Sequence, residues 1–404
     1  MSLEEVHSSL LRDRSACVRL LMALKAGRAP TEGIHYVSVG LESIVQRLNY
    51  ALAEASQGKA QILWVFGEYG EGKSHLLRLM ATLAQEHHFA WAYVVHDKDR
   101  HIGLHKPVWL FRGILLSLRL VYPFLNIDYS RVIYRSSTND HYWRPKLPEE
   151  LAKLAGRLND KGWRGLVVCL DEVENCCQFH WSQYWPAWET LHHLIGDLRG
   201  PVIFCLSLTS NGLGCLEAGW SQYVDGKKPR ELLKRASHEG IRMPVWSERY
   251  ALPLAERIYQ LHAVAFNWRP TISVEEVAQK AYKKAEEEQS KQWRAFVQAV
   301  VTILEIEHQE KEPPPVSPEL LLSPPPEPSG STPLESSMVR SSPLSGPSSA
   351  SVQRGDRVEI VATSLRGLRG VVKQVKGTEA EVILVGRLEM PPVKVPLTAL
   401  KKLK

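Results

Sequence analysis

The 404-residue sequence predicts an α/β fold with a parallel sheet, a small helical segment after it, and a small all-β module near the C-terminal end. Three observations carry that expectation. Short runs that are apolar at every position alternate with stretches of helical periodicity before Pro253, and strands apolar on both faces are those covered by helices on both sides. A glycine-rich turn ending in a lysine joins one such run to one such helix. Beyond a proline-rich stretch, apolar residues alternate with polar ones, the period of a half-buried strand.

The composition narrows the classes further. With 44% hydrophobic and 23% charged residues and 6 Cys, the chain is neither collagenous, nor wholly disordered, nor a disulfide scaffold. A bilayer span needs roughly 18 consecutive apolar residues, and the best candidate, 114–125, is short and interrupted by Arg119. The first residues mix acids and bases among apolar side chains, unlike a signal peptide. A cytoplasmic protein with no membrane contact is expected. Cys169 and Cys205 lie inside apolar runs as small core residues, and no CxxC pair is present.

Helical periodicity fits 15–26, 41–55 and 74–86, and apolar runs fit strands at 62–66, 92–95, 166–170 and 202–206. After Pro253 the sequence turns helical and charged, which suggests a lid. Residues 311–351 hold 11 of the 25 prolines among Ser, Gly and Glu, too little apolar surface to offset chain ordering. As a flexible coil this linker spans about 35 Å, with an extended ceiling of about 130 Å. Five regions result: an N-terminal helical segment at 1–58, a core at 59–252, the lid at 253–310, the linker at 311–351 and the β module at 352–404. The module carries 11 Lys and Arg against 5 Asp and Glu, so the whole net charge of +6 resides there. A tethered basic module suits contact with a polyanion, although a small basic domain can also be merely soluble.

The turn is Gly67-Glu68-Tyr69-Gly70-Glu71-Gly72-Lys73-Ser74, followed by His75; it matches GxxxxGK[ST] and lies between an expected strand and an expected helix. Glycines let successive N–H groups turn inward onto phosphate oxygens, and the helix N-terminus adds partial positive charge. Lys73 is expected to reach the β and γ phosphates, and the Ser74 hydroxyl to ligate Mg²⁺. Glu68 and Glu71 would repel a triphosphate unless they point away from it. The run 165–170 ends in Asp171-Glu172: Asp171 can hold Mg²⁺ through water while Glu172, aimed differently, polarises the attacking water. Any buried strand can end in solvated acids, so this pair gains its meaning from the phosphate loop. At the end of the 202–206 strand, Thr209 is the first choice to sense the γ-phosphate, with Ser207 or Asn211 behind it. Arg235 and Arg242 are the candidates for an arginine finger, against the alternative of ordinary ion-paired arginines. A finger acting in trans would require a homo-oligomer.

Around this loop the turn Gly27–Pro30, the segment Val39–Glu42, Gly58 before the first strand and His75 after Ser74 resemble the ATP-binding proteins of BREX (bacteriophage-exclusion) systems. The resemblance implies an additional-strand, AAA+-like P-loop ATPase with ATP and Mg²⁺ as ligands and Lys73, Ser74, Asp171 and Glu172 in the roles just given. Glu71 departs from the small residue usual there. The tail 353–400, with Gly355-Asp356, Gly370 and Val371-Val372, resembles a KOW module of SH3-like barrel type, as found in some MutS-like proteins. This implies binding of RNA, DNA or protein partners, with Arg366, Arg369, Lys373 and Lys376 as the exposed bases. The expected function is Mg²⁺-dependent ATP hydrolysis driving a conformational or assembly change coupled to DNA, in a phage-defence setting. The alternative is a slowly hydrolysing ATP switch that recruits RNA, ribosomes or proteins through the module.

Overall fold

The computed structural model describes residues 9–97, 102–123, 140–178, 184–221, 238–288, 292–311, 357–360, 369–376, 379–384, 393–396 and 400–402. The chain divides into two compact units, Met1–Val316 and Ser317–Lys404.

Five parallel strands organise the first unit: β1 (Gln61–Phe66), β2 (Ala90–Val95), β3 (Leu166–Asp171), β4 (Val202–Leu208) and β5 (Ile241–Arg242), in the order β2-β3-β4-β1-β5. β3 and β4 are central and buried at every position, whereas the edge strand β2 alternates between buried and more exposed residues. Since β4 lies between β1 and β3, the chain ends leaving β1 and β3 are about 10 Å apart on one edge of the sheet. That edge receives the glycine-rich loop, the Asp-Glu pair and the polar end of β4.

Side chains alternate across the sheet and define two apolar layers. Leu63, Val65, Val167, Cys169, Ile203 and Cys205 face α2 (Glu42–Ser56) and α3 (Lys73–Glu86), burying Leu52, Leu76 and Leu79. Trp64, Phe66, Val168, Leu170, Phe204 and Leu206 face the other way, against α4 (Pro107–Val121), α5 (Lys146–Asn159) and α6 (Tyr184–Asp197). Trp188 on α6 is fully buried in this second layer, and Trp185 packs partly buried against it.

A helix, α7 (Ser210–Ser221), follows β4. Beyond β5, α8 (Glu248–Phe266), α9 (Val274–Glu287) and α10 (Gln292–Lys311) form a bundle. It starts upstream of the boundary expected at Pro253, because Pro253 lies inside α8. The bundle also takes in α1 (Arg14–Lys25), whose Cys17, Leu20, Leu21 and Leu24 form one apolar stripe that packs with Leu254, Ile258, Phe296 and Val300. The segment 1–58 is therefore divided: α1 joins the bundle and α2 joins the sheet. No helix among the described residues is long and apolar enough to cross a membrane.

The second unit holds β6 (Arg357–Ile360), β7 (Arg369–Lys376), β8 (Glu379–Leu384), β9 (Val393–Pro396) and β10 (Leu400–Lys402), antiparallel in the order β10-β6-β7-β8-β9. The β7–β8 register shifts between Val372 and Gln374, so Lys373 is an extra residue and the period-two alternation expected of this module is interrupted there. Arg369 and Lys376 occupy the two ends of β7, while Arg366 and residues 312–351 lie outside the described residues.

Candidate functional site

The glycine-rich loop runs from the end of β1 to the start of α3. Gly67 N–H donates to the carbonyl of Leu208 at 3.2 Å, which ties the loop to the end of β4. Gly70 (φ 91°) and Gly72 (φ 96°) are both left-handed, a conformation that costs other residues about 1–2 kcal/mol. At Gly72 a Cβ would also meet Met243 Cγ at 2.9 Å. Gly70 is thus required by backbone geometry and Gly72 by both backbone geometry and space, and Lys73 begins α3 directly after them.

Both loop acids fold back onto main-chain N–H groups. The Glu71 carboxylate accepts from Glu68 N–H at 2.7 Å, and the Glu68 carboxylate accepts from Ser210 N–H, at the start of α7, at 3.2 Å. Lys73 is 8% exposed; its Nζ donates to the Glu68 carbonyl at 3.3 Å and pairs with Glu174 Oε1 at 3.1 Å. Glu174 is not expected from the sequence, although it stands only three residues beyond Asp171. Burial raises its carboxyl pKa, Lys73 opposes that shift, and Asp171 adds to it. His75 Nε2 lies 2.8 Å from Ser38 Oγ, which itself donates to the Ile34 carbonyl; Nε2 therefore carries the proton and donates. Burial, helped by His35, lowers the His75 pKa to about 4, so its imidazole is neutral.

Asp171 closes β3 and is held from three sides. Oδ1 accepts from Ser207 Oγ–H at 2.6 Å and from Glu172 N–H at 2.9 Å, while Oδ2 accepts from Tyr93 O–H. Tyr93 is in turn covered by the Arg78 guanidinium, 3.5 Å from the ring centroid. Burial first, then the negative charge of Asp171, raises the Tyr93 pKa well above its usual value, so its O–H stays a donor. These contacts take three of roughly four lone-pair sites on Asp171, and the remaining one suits a hydrogen bond from metal-bound water. Together with the Ser74 hydroxyl this is the oxygen donor set that Mg²⁺ accepts, so the residues fit that ion.

Glu172 adopts a left-handed conformation (φ 57°), uncommon for a residue with a side chain. Its carboxylate has a different partner from that of Asp171: Asn175 Nδ2 donates to Glu172 Oε2 at 3.1 Å while also donating to the His96 carbonyl at 3.0 Å. The polar end of β4 has a division of labour that sequence order does not reveal. Ser207, the second choice, bonds Asp171, whereas Thr209, the first choice, accepts from Gly212 N–H at 3.0 Å and caps α7. Ser207 reaches Asp171 because Leu170 pairs with Leu206, which sets residues 171 and 207 side by side at the ends of β3 and β4, and the signal that could have found it is its position inside the strand.

Of the arginines, Arg235 lies outside the described residues, and Arg242 extends its guanidinium over Phe66, 5.2 Å from the ring centroid, beside the start of the loop. An arginine without any motif reaches the loop instead. Arg294, on the first turn of α10, sits 4.6 Å above the Tyr69 ring, and its stem lies against Gly27. Tyr69, 60% exposed, is thus the point where loop and bundle meet.

A glycine-rich lysine loop between β1 and α3, with acids ending β3 on the same sheet edge, defines a P-loop α/β architecture. A family model described as BREX system ATP-binding protein BrxC/D matches residues 13–120. That match covers α1, α2, the loop and α3 and ends before β3. Among solved structures the chain is similar to a Walker-type ATPase of Pyrococcus abyssi (12% identity, TM-score 0.40, covering 68% of this chain and 73% of that one). It is also similar to domain III of the Thermotoga maritima replication initiation protein DnaA (14%, TM-score 0.35, 68% and 87%) and to DnaA bound to AMPPCP and single-stranded DNA (12%, TM-score 0.30, 68% and 66%). No curated protein matches the sequence.

Proposed function

We propose that the first unit binds ATP with Mg²⁺ and hydrolyses it, and that the resulting change is passed to DNA-linked partners in a phage-defence setting. The observation that supports this most is the joint placement of Lys73, Asp171 and Glu172 on one sheet edge, with β4 between the two motif-bearing strands. Each group has a task its surroundings suit. Loop N–H groups and Lys73 hold the triphosphate and neutralise charge that grows as the γ-phosphoryl leaves. Ser74 and Asp171 would hold Mg²⁺, which would supply further neutralisation of phosphate charge. Glu172, oriented by Asn175, takes a proton from the attacking water.

The domain boundaries at 1–58, 59–252, 253–310, 311–351 and 352–404 enter this reading with one change, the transfer of α1 to the helical lid. In the second unit, the five antiparallel strands support a KOW, SH3-like module that engages nucleic acid or protein, with Arg369, Lys373 and Lys376 on one strand. Cytoplasmic location and assembly into oligomers belong to the same proposal.

Calorimetry and turnover assays test it. Lys73→Ala is expected to abolish Mg-ATP binding, whereas Glu172→Gln retains binding and loses on the order of a hundredfold or more in turnover. If both variants bind and hydrolyse as the parent does, the assignment is wrong.

A further inference from the structure

We propose that Glu174 is a nucleotide-state switch: its carboxylate holds Lys73 until the terminal phosphate of a nucleoside triphosphate takes its place, so that the site separates triphosphate from diphosphate and releases the turn carrying Glu174. The inference rests on the nucleotide reading above and assigns that site a specificity residue.

A lysine ammonium has three N–H donors, and Lys73 commits one to the Glu68 carbonyl at 3.3 Å and one to Glu174 Oε1 at 3.1 Å. One donor remains for a β-phosphate oxygen, so a diphosphate can be accommodated with the ion pair intact. A triphosphate brings more negative charge to the same ammonium and competes directly with the carboxylate. Two unit charges about 4 Å apart near a protein surface repel by several RT, which sets the scale of the competition.

The ion pair is also poorly anchored at its acidic end. Glu174 Oε2 is buried and has no hydrogen-bond partner among the described residues. A buried carboxylate with one oxygen unsatisfied recovers little of its desolvation cost, so an anion better matched to Lys73 displaces it readily.

Displacement has somewhere to go. Glu174 lies on the 3₁₀ turn Val173–Gln178 that follows β3, and its backbone presses on α7: a Cβ at Gly212 would meet Glu174 Cβ at 2.8 Å and Cα at 2.9 Å. The same first turn of α7 receives the Glu68 carboxylate through Ser210 N–H. Exchange of Lys73 from carboxylate to phosphate therefore loosens the turn against a helix whose first residues are already bonded to the loop.

The test compares Mg-ATP and Mg-ADP affinities by calorimetry for the full chain and for Glu174→Gln, a substitution that keeps the shape and removes the charge. Glu174→Gln is expected to bind Mg-ATP roughly tenfold more tightly and to leave Mg-ADP within about twofold of the parent, a coupling of ordinary allosteric size. Equal changes for both nucleotides, or none, would overturn the switch while leaving nucleotide binding in place. If neither parent nor variant binds either nucleotide, the reading of the site itself fails along with the switch. A second measurement needs no variant: hydrogen exchange in 173–178 and 210–213 is expected to rise with a non-hydrolysable ATP analogue and not with ADP, and identical exchange with both would equally overturn the proposal.

Discussion

The parallel sheet and the helical bundle are built by opposite means. Each layer of the sheet comes from chain segments whose own pattern announces them: β3 and β4 are apolar at nearly every position and buried at every position. The bundle takes α1 from near one end of the unit and α8, α9 and α10 from the other, and no local pattern links them. The sheet therefore carries its stability in a contiguous core, whereas the bundle depends on closing a loop that contains the whole sheet. Loop closure of that length is unfavourable mainly in entropy, which makes the bundle the natural candidate to open first.

The largest effects come from emptying each core in turn. Phe204→Ala on β4 and Phe296→Ala on α10 both delete a fully buried ring, and each is expected to cost about 3–5 kcal/mol. Their exchange patterns separate them: Phe296→Ala is expected to expose α1, α8, α9 and α10 while β1, β3 and β4 keep their protection, whereas Phe204→Ala exposes both regions. Identical patterns would show one cooperative unit and erase the comparison.

Gly40 tests the junction between the regions with a smaller effect. It is left-handed (φ 70°), and a Cβ there would lie 2.2 Å from Tyr250 Cε1 on α8. Gly40→Ala is expected to destabilise by about 2–4 kcal/mol, from backbone strain and overpacking together. Adding Tyr250→Ala should recover the overpacking part, and strict additivity of the two changes in urea unfolding would show that the ring is not what Gly40 accommodates.

This junction also shows what the sequence could and could not tell. The segment Val39–Glu42 is distinctive as sequence, but the reason for its glycine, a tyrosine more than 200 positions later, is a tertiary fact. The positions of the glycine-rich loop and of Asp171-Glu172 at strand ends were legible because each is a run of adjacent residues next to an apolar strand. Ser207 rather than Thr209 bonds Asp171 because strand register, not residue type, decides which hydroxyl reaches that carboxylate. Glu174 and Arg294 had no local signature, since an acid after a strand and an arginine at a helix start are ordinary until their partners, Lys73 and Tyr69, are placed. Arg235, Arg366 and the linker remain outside the described residues.

Acid is expected to act on both regions to a lesser extent. His75, beside the loop, and His262, in the bundle, are each held neutral, with pKa lowered to about 4, chiefly by burial. An unfolded histidine titrates near 6.5, so between about 6.5 and 4 the unfolded chain binds more protons and stability falls as pH falls. By pH 5.5 each contributes a loss of about 1 kcal/mol. His262→Gln keeps an acceptor for Trp268 Nε1, and thermal melting of that variant between pH 7 and 5.5 should show a shallower decline than the parent. An unchanged slope would place the acid sensitivity elsewhere.

The smallest expected effect falls where the two regions touch through one side chain. Arg294 over Tyr69 is an exposed cation–π contact, of the kind worth about 0.5–1 kcal/mol, so Arg294→Ala should scarcely move the melting temperature. Its consequence is expected in communication instead. With the contact present, a nucleotide that orders Tyr69 also restrains the first turn of α10, and exchange there should slow on binding Mg-ATP. In Arg294→Ala the loop is expected to respond to nucleotide as before while α10 no longer does. If α10 still slows in the variant, sheet and bundle are coupled through Gly40 and Tyr250 rather than through the loop, and the two regions are less independent than their construction implies.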